Sequence, residues 1–97
     1  MSVANTTNLR TVIENLDWTD TSEKTHTLDD ECHAVRLLST VNTAKLRFVT
    51  NAANDAVYHS LLKGVPELFS ARQLEGQSLF FTGVNGDRIE ITEFLGV

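Results

Sequence analysis

The stretch HTLDDECH at residues 26–33 holds the side chains best suited to metal binding or catalysis: two histidines, three consecutive acids and the only cysteine. A zinc site needs three or four such ligands, commonly from two separated pairs. Cys32 and His33 are adjacent, so they face opposite sides of a strand and diverge by about 100° on a helix. The third histidine, His59, has no cysteine near it in the sequence. We therefore predict no metal and no cofactor, and interpret the acids as the solvated start of a helix or strand.

A cysteine nucleophile needs a base and an orienting group, and Cys32, His59 and Asp55 supply those residue types. Asp55 and His59 are spaced to share one helix face, but Lys63 continues that face as an exposed charged ladder. The glycines of GVNGDR lie between two strand patterns and give no phosphate-binding signal. We expect no catalytic residues and do not expect an enzyme. A small enzyme or metal-binding protein that uses Cys32, His33 and His59 is kept as one alternative.

The length of 97 residues and the apolar fraction of 41% indicate a single globular domain, residues 1–97. No stretch approaches the roughly 20 apolar residues of a membrane span. The opening residues MSVANTTNLR lack the basic and apolar regions of a secretory signal. One cysteine cannot close an intramolecular disulfide, which is typical of a reducing compartment. We expect a cytoplasmic protein that does not contact a membrane.

The net charge of −5 is confined to one part of the chain. Acidic and basic residues balance between residues 32 and 97, whereas seven acids face one lysine between residues 11 and 31. Proteins that bind nucleic acid directly usually show a basic stripe, the opposite pattern. An acidic segment instead suits a basic protein partner. The predicted partner-binding residues are Glu14, Asp17, Trp18, Asp20, Glu23, Asp29, Asp30 and Glu31.

Trp18 has two interpretations: it covers the edge of the core, which we favour, or it anchors a partner. The function we predict is a non-catalytic protein-binding module, an inhibitor or adaptor that occupies a basic surface of a larger protein. That surface of the partner could itself bind nucleic acid. The carboxylates of this chain would then occupy the positions of the nucleic-acid phosphates. The alternative is a structural subunit of a homo-oligomer or larger assembly, which would use the outer edge of a C-terminal hairpin or its Leu79 and Phe81 face.

Apolar residues of the N-terminal third follow a helical spacing. Leu9, Val12, Ile13 and Leu16 fall at i, i+3, i+4 and i+7, which predicts a helix over residues 8–17. Polar residues 19–27 show no period and are expected to form a loop.

Residues 28–41 are compatible with a helix or, as we prefer, with a strand. In the strand interpretation they form a hairpin with KLRFVT across Asn42-Thr43, and Val35 and Leu37 share the core face. A second helix is predicted from Asn51 or Asn54 to Lys63, followed by a short helical turn at PELFSA.

The clearest pattern is SLFFTGVNGDRIEITEF at residues 78–94, two alternating runs around Asn85-Gly86. This pattern predicts a hairpin with a type I′ turn, whose core face is built from Phe80, Ile89 and Ile91. The expected fold is therefore α+β, with the order helix, hairpin, helix, hairpin. The acidic helix and loop would span residues 8–31, and a sheet of about four strands with helices on one face would follow at 32–97.

Overall fold

A computed structural model describes residues 10–48, 58–70 and 76–96, and every regular element in these ranges is a β-strand. No described segment forms a helix with the length and apolarity needed to cross a membrane. The eight strands, in chain order, are β1 (Arg10–Asp17), β2 (Lys24–Thr27), β3 (Cys32–Ser39), β4 (Ala44–Arg47), β5 (His59–Leu61), β6 (Glu67–Ser70), β7 (Ser78–Thr82) and β8 (Arg88–Leu95).

The strands form two four-stranded sheets, ordered β1-β8-β3-β6 and β2-β7-β4-β5. Every strand pair that forms these sheets is antiparallel. The chain changes sheet at almost every connection, and only β4 and β5 are both successive and paired. This strand order is the eight-stranded jelly-roll arrangement. It describes an architecture and does not by itself indicate a function.

The core lies between the two sheets, because residues that alternate along each strand point inward. On β7, for example, Leu79 and Phe81 are buried while the residues between and beside them are partly exposed. The buried hydrophobic residues are Trp18, Leu28, Cys32, Val35, Leu37, Ala44, Leu46, Leu61, Leu79, Phe81, Ile89, Ile91 and Leu95.

The predicted α+β class is wrong, because no helix occurs among the described residues. The helix predicted over residues 8–17 is instead β1, which pairs with β8 along its whole length. The helical spacing of Val12 and Ile13 does not mark a core face, since both are exposed on an edge strand. Their β-branched side chains favour extended backbone, and β8 supplies the hydrogen-bond partners.

The loop predicted at residues 19–27 contains β2, a short edge strand that pairs with β7. Its sequence, KTHT, is polar because an edge strand of four residues needs little apolar surface.

The helix alternative for residues 28–41 is wrong, and the preferred strand is confirmed as β3. Val35 and Leu37 are fully buried, as predicted. The predicted hairpin is wrong, because β3 pairs with β6 and β8 whereas β4 pairs with β5 and β7. Residues 40–43 therefore carry the chain from one sheet to the other.

The second predicted helix is wrong in its described part, since His59–Leu61 form β5. Its first half lies outside the described residues. The helical turn predicted at PELFSA is also wrong, because Glu67–Ser70 form β6, paired with β3.

The C-terminal strands are confirmed, but they do not form a hairpin. β7 belongs to one sheet and β8 to the other, and the buried residues of β7 are Leu79 and Phe81, the face predicted to point outward. A turn does form at Asn85-Gly86, closed by a 2.9 Å hydrogen bond from the Asp87 amide to the Val84 carbonyl. Gly86 has a φ of 91°, and no described residue other than glycine has a positive φ. This is the type II pattern, which splays the flanking strands, whereas type I′ would keep them paired.

Candidate functional site

The predicted partner-binding residues all lie between β1 and the start of β3, along one side of the sandwich. β1 and β2 are edge strands of the two sheets, and His26 on β2 contacts Glu14 on β1, so the two edges are neighbours. We call the carboxylates along this side the acidic edge: Glu14, Asp17, Asp20, Glu23, Asp29, Asp30 and Glu31.

The acidic edge is a band rather than a compact cluster. Asp20 and Glu23 lie in the connection from β1 to β2, at one end of the sandwich. Asp29, Asp30 and Glu31 lie in the connection from β2 to β3, at the other end. The four residues of β2 separate the two groups by roughly 13 Å. A partner would therefore contact the acids along an extended surface.

Trp18 is buried in the core, which is the interpretation that we favoured. Its indole Nε1 donates a hydrogen bond to the Ser22 carbonyl at 2.8 Å, and its carbonyl accepts one from the Gly86 amide at 2.8 Å. The Lys24 ammonium lies 5.8 Å from the ring centroid. Trp18 thus holds the connection that carries Asp20, and its ring does not project towards a partner.

Several carboxylates of the acidic edge are held by local contacts. Asp20 Oδ1 accepts hydrogen bonds from the hydroxyl and the amide of Ser22 at 2.6 and 2.9 Å, and these bonds lower the pKa of Asp20. Asp29 Oδ1 accepts one from the Glu31 amide at 2.8 Å. These short-range bonds fix the two acidic connections while leaving the carboxylates exposed.

Two ion pairs also join the acidic edge to the first sheet. Asp17 Oδ1 lies 2.6 Å from Arg88 Nε, and the same contact raises the pKa of Arg88. Glu31 lies 3.7 Å from Arg10. Both pairs are about half exposed, so water and salt screen them and neither contributes much to stability.

A buried polar cluster lies beneath the acidic edge. His26 Nδ1 is 2.7 Å from Glu14 Oε2, and His26 Nε2 is 2.8 Å from Glu93 Oε2. The other Glu93 oxygen accepts a 2.9 Å hydrogen bond from the Asp29 amide. The sequence analysis considered His26 as part of HTLDDECH and placed it in a polar loop, and it did not single out Glu93. The sequence did contain a signal for Glu93: in the alternating ITEF run it falls at a position whose side chain faces the core.

The Cys32 thiol adjoins this cluster and is fully buried. Burial and the neighbouring Glu93 carboxylate raise the pKa of Cys32 to about 11, and Sγ donates to the Ala34 carbonyl at 3.2 Å. Such a thiol stays protonated at neutral pH. Only the deprotonated thiolate acts as a nucleophile or a metal ligand, so Cys32 is not suited to either role. His33, next in sequence, is exposed, as expected for adjacent residues of a strand.

The remaining histidine makes separate contacts. His59 lies at the start of β5, with Nε2 3.6 Å from Glu67 Oε1 and its ring centroid 5.5 Å from that of Phe69. Asp55 is outside the described residues. Among the residues that the structure describes, no group of three or more histidine, cysteine or acidic side chains is placed to hold a metal ion.

Comparison of the chain with protein-family models, with curated proteins and with solved structures finds no match in any of the three.

Proposed function

We propose that this chain is a non-catalytic protein-binding module, an inhibitor or adaptor whose acidic edge docks on a basic surface of a larger protein. The observation that carries the proposal is the coincidence of charge with an open sheet edge. Residues 10–31 hold seven acids and two bases, and the rest of the chain balances to zero. The same residues form both edge strands on one side of the sandwich.

The backbone of β1 supports a protein partner. This strand is eight residues long, and among the described residues it pairs with β8 alone. No described strand pairs with its outer backbone groups, to which a partner could add a strand, and Ile13 exposes 62% of its surface beside them. β1 is not short and contains no lysine or proline, three of the features that protect edge strands from pairing; its charged residues are Arg10, Glu14 and Asp17.

The charge distribution supports a basic partner. Carboxylates at both ends of β1 create a negative potential along the whole edge, which would speed association with a basic surface and discriminate against acidic ones. Direct binding of this edge to nucleic acid would place like charges against each other. The basic surface that this chain covers could be the site at which the partner itself binds nucleic acid.

Two double variants, each of which removes two negative charges, test the proposal. Asp20→Asn with Asp30→Asn removes two carboxylates of the acidic edge. Glu67→Gln with Glu90→Gln removes two from β6 and β8, outside it. Cross-linking in a lysate of the native host identifies the partner, and surface plasmon resonance with the purified partner then compares the variants. The edge pair should weaken binding at least threefold, about 0.7 kcal/mol, and flatten its salt dependence, while the control pair does neither. Equal weakening by both pairs, or by neither, contradicts the proposal.

The second candidate is a structural subunit that self-associates through β1, in place of the hairpin edge first expected. Two copies of β1 can pair antiparallel about Ile13, so that Ile13 meets its own symmetry mate and Arg10 lies diagonal to the mate's Glu14. Light scattering separates the candidates. A stable dimer that Ile13→Lys dissociates favours self-association, and a monomer favours a different partner.

We also propose a cytoplasmic location. The only cysteine is buried and free, which suits a reducing compartment.

A further inference from the structure

A depression of about 270 Å³ opens on the outer face of the β2-β7-β4-β5 sheet and reaches Thr21, which lies between Asp20 and Glu23 in the connection from β1 to β2. Ala44 and Leu46 point into the core, so Lys45 and Arg47 between and after them face outward. Both line the depression, together with the hydroxyl side chains of Thr21, Thr43 and Thr82. No acidic residue is among the described residues that line it, in a chain with 13 acids and 8 bases.

The polar groups of the lining are arranged as hydrogen-bond donors. Thr82 Oγ1 accepts a bond from Arg47 Nη1 at 3.1 Å, and Thr43 Oγ1 accepts one from the Lys63 amide at 3.4 Å. A hydroxyl that accepts in this way still has its own hydrogen to donate. Lysine and arginine side chains only donate. A lining of this kind is complementary to an anion with several oxygen acceptors.

Tyr58 holds the two cations in place. The Lys45 ammonium lies 4.5 Å from the Tyr58 ring centroid, and the Arg47 guanidinium carbon lies 5.3 Å from it. Arg47 is only 2% exposed, whereas Lys45 is exposed at the rim. Because the ring restricts both side chains before a ligand arrives, less conformational entropy is lost on binding.

We infer that this depression binds a tetrahedral oxyanion, phosphate or sulfate, either free or as the monoester of a small molecule. Lys45 supplies the exposed charge, and the threonine hydroxyls donate to the remaining oxygens. The volume far exceeds the ~30 Å³ of a water molecule, so an organic group has room beside the anion. The depression borders the acidic edge at Thr21, but the inference does not depend on the proposed function.

The test is an amide NMR titration of the full chain with inorganic phosphate, and then with glycerol phosphate, at constant ionic strength. We expect saturable shifts at Thr43, Lys45 and Thr82, and binding weakened roughly fivefold or more by Lys45→Gln. Arg36→Gln is the matched control, since Arg36 is an exposed cation paired with Glu90 on the other sheet. It should leave the affinity unchanged. Tighter binding of glycerol phosphate identifies a monoester ligand, and tighter or equal binding of inorganic phosphate identifies the free anion.

Thr82→Val is a second variant, because it keeps the β-branched shape and removes the hydroxyl. It should weaken phosphate binding while the spectrum stays that of a folded chain. Shifts that never saturate overturn the inference. Equal weakening by Lys45→Gln and Arg36→Gln also overturns it, because the effect would then be one of net charge.

Discussion

His26 Nε2 lies 2.8 Å from Glu93 Oε2 and joins β2 of one sheet to β8 of the other across 67 residues of chain. The Glu93 side chain is 8% exposed, and the Glu14 side chain on the other ring nitrogen of His26 is 55% exposed. The two ring nitrogens of His26 therefore face one exposed and one buried carboxyl group, and these two contacts fix the orientation of the ring. The His26–Glu93 contact contributes to stability mainly because it gives a buried carboxyl group a hydrogen-bond partner.

We expect His26→Leu to lower the free energy of unfolding by about 3 kcal/mol, since it leaves the Glu93 carboxyl group buried without its histidine partner. Glu14→Gln, which removes the exposed partner of the same ring, should cost less than about 1 kcal/mol. Urea unfolding monitored by tryptophan fluorescence measures both. Similar small losses in the two variants would show that the buried contact does not stabilise the fold.

The Cys32 thiol predicts a loss of stability at high pH. Its pKa is raised in the folded chain from 9.0 to about 11, so the unfolded chain loses the thiol proton first as the pH rises. The thiol contribution is therefore fully present below pH 9 and is lost between pH 9 and about 11. Relative to Cys32→Ala, the wild type should lose about 2 kcal/mol of unfolding free energy between about pH 8 and about pH 10.5. Urea unfolding with reductant present measures it, and parallel pH profiles would exclude a buried, protonated thiol.

Gly86→Val should destabilise the chain by more than about 1 kcal/mol, because Gly86 has a φ of 91° that a β-branched residue resists. Among the described residues, no atom beyond the chain neighbours lies within 4 Å of where a Cβ would stand at this position, so the cause is backbone conformation and not crowding. Gly86→Asn is the matched control and should cost less, since asparagine tolerates positive φ better. The melting temperatures of the two variants give the comparison. An unchanged value for the valine variant would contradict the turn.

Leu79 and Leu68 distinguish the jelly-roll arrangement from the hairpin expected from the sequence. Leu79 is 1% exposed and Leu68 is 68% exposed, although the hairpin would have placed Leu79 on the outer face. Leu79→Ala should therefore cost about 2 to 5 kcal/mol of unfolding free energy, and Leu68→Ala less than about 0.5 kcal/mol. Denaturant midpoints measure both. A small effect of Leu79→Ala would instead support the hairpin, in which the Leu79 side chain points outward.

Several strands could be predicted from local sequence because their side chains alternate. Alternation correctly placed β7 and β8, and it correctly turned Val35 and Leu37 towards the core. The turn at Asn85-Gly86 was also recognisable, since glycine is the residue that supplies a positive φ. Alternation failed on β1 and β2, because an edge strand has one open side and little core to cover.

The sequence did not reveal which strands pair with each other. Because of this, the buried face of β7 and the fold class were both predicted wrongly. β1 pairs with β8, and β3 lies between β6 and β8, over separations that no local pattern records. The predicted hairpins assumed that neighbours in sequence are neighbours in space. In this fold most successive strands instead lie in different sheets.

The sequence by itself determined that the acids are concentrated in residues 11–31, that the only cysteine cannot form an internal disulfide, and that extended runs end the chain. Only the tertiary structure decided that those acids border two open strands, and that Lys45 meets hydroxyls from residues 21 and 82 around one depression. The physical reason is that every residue but proline offers the same backbone donor and acceptor to a sheet. Side-chain alternation can therefore indicate that a segment is a strand, but packing of the whole chain selects which strand lies beside it.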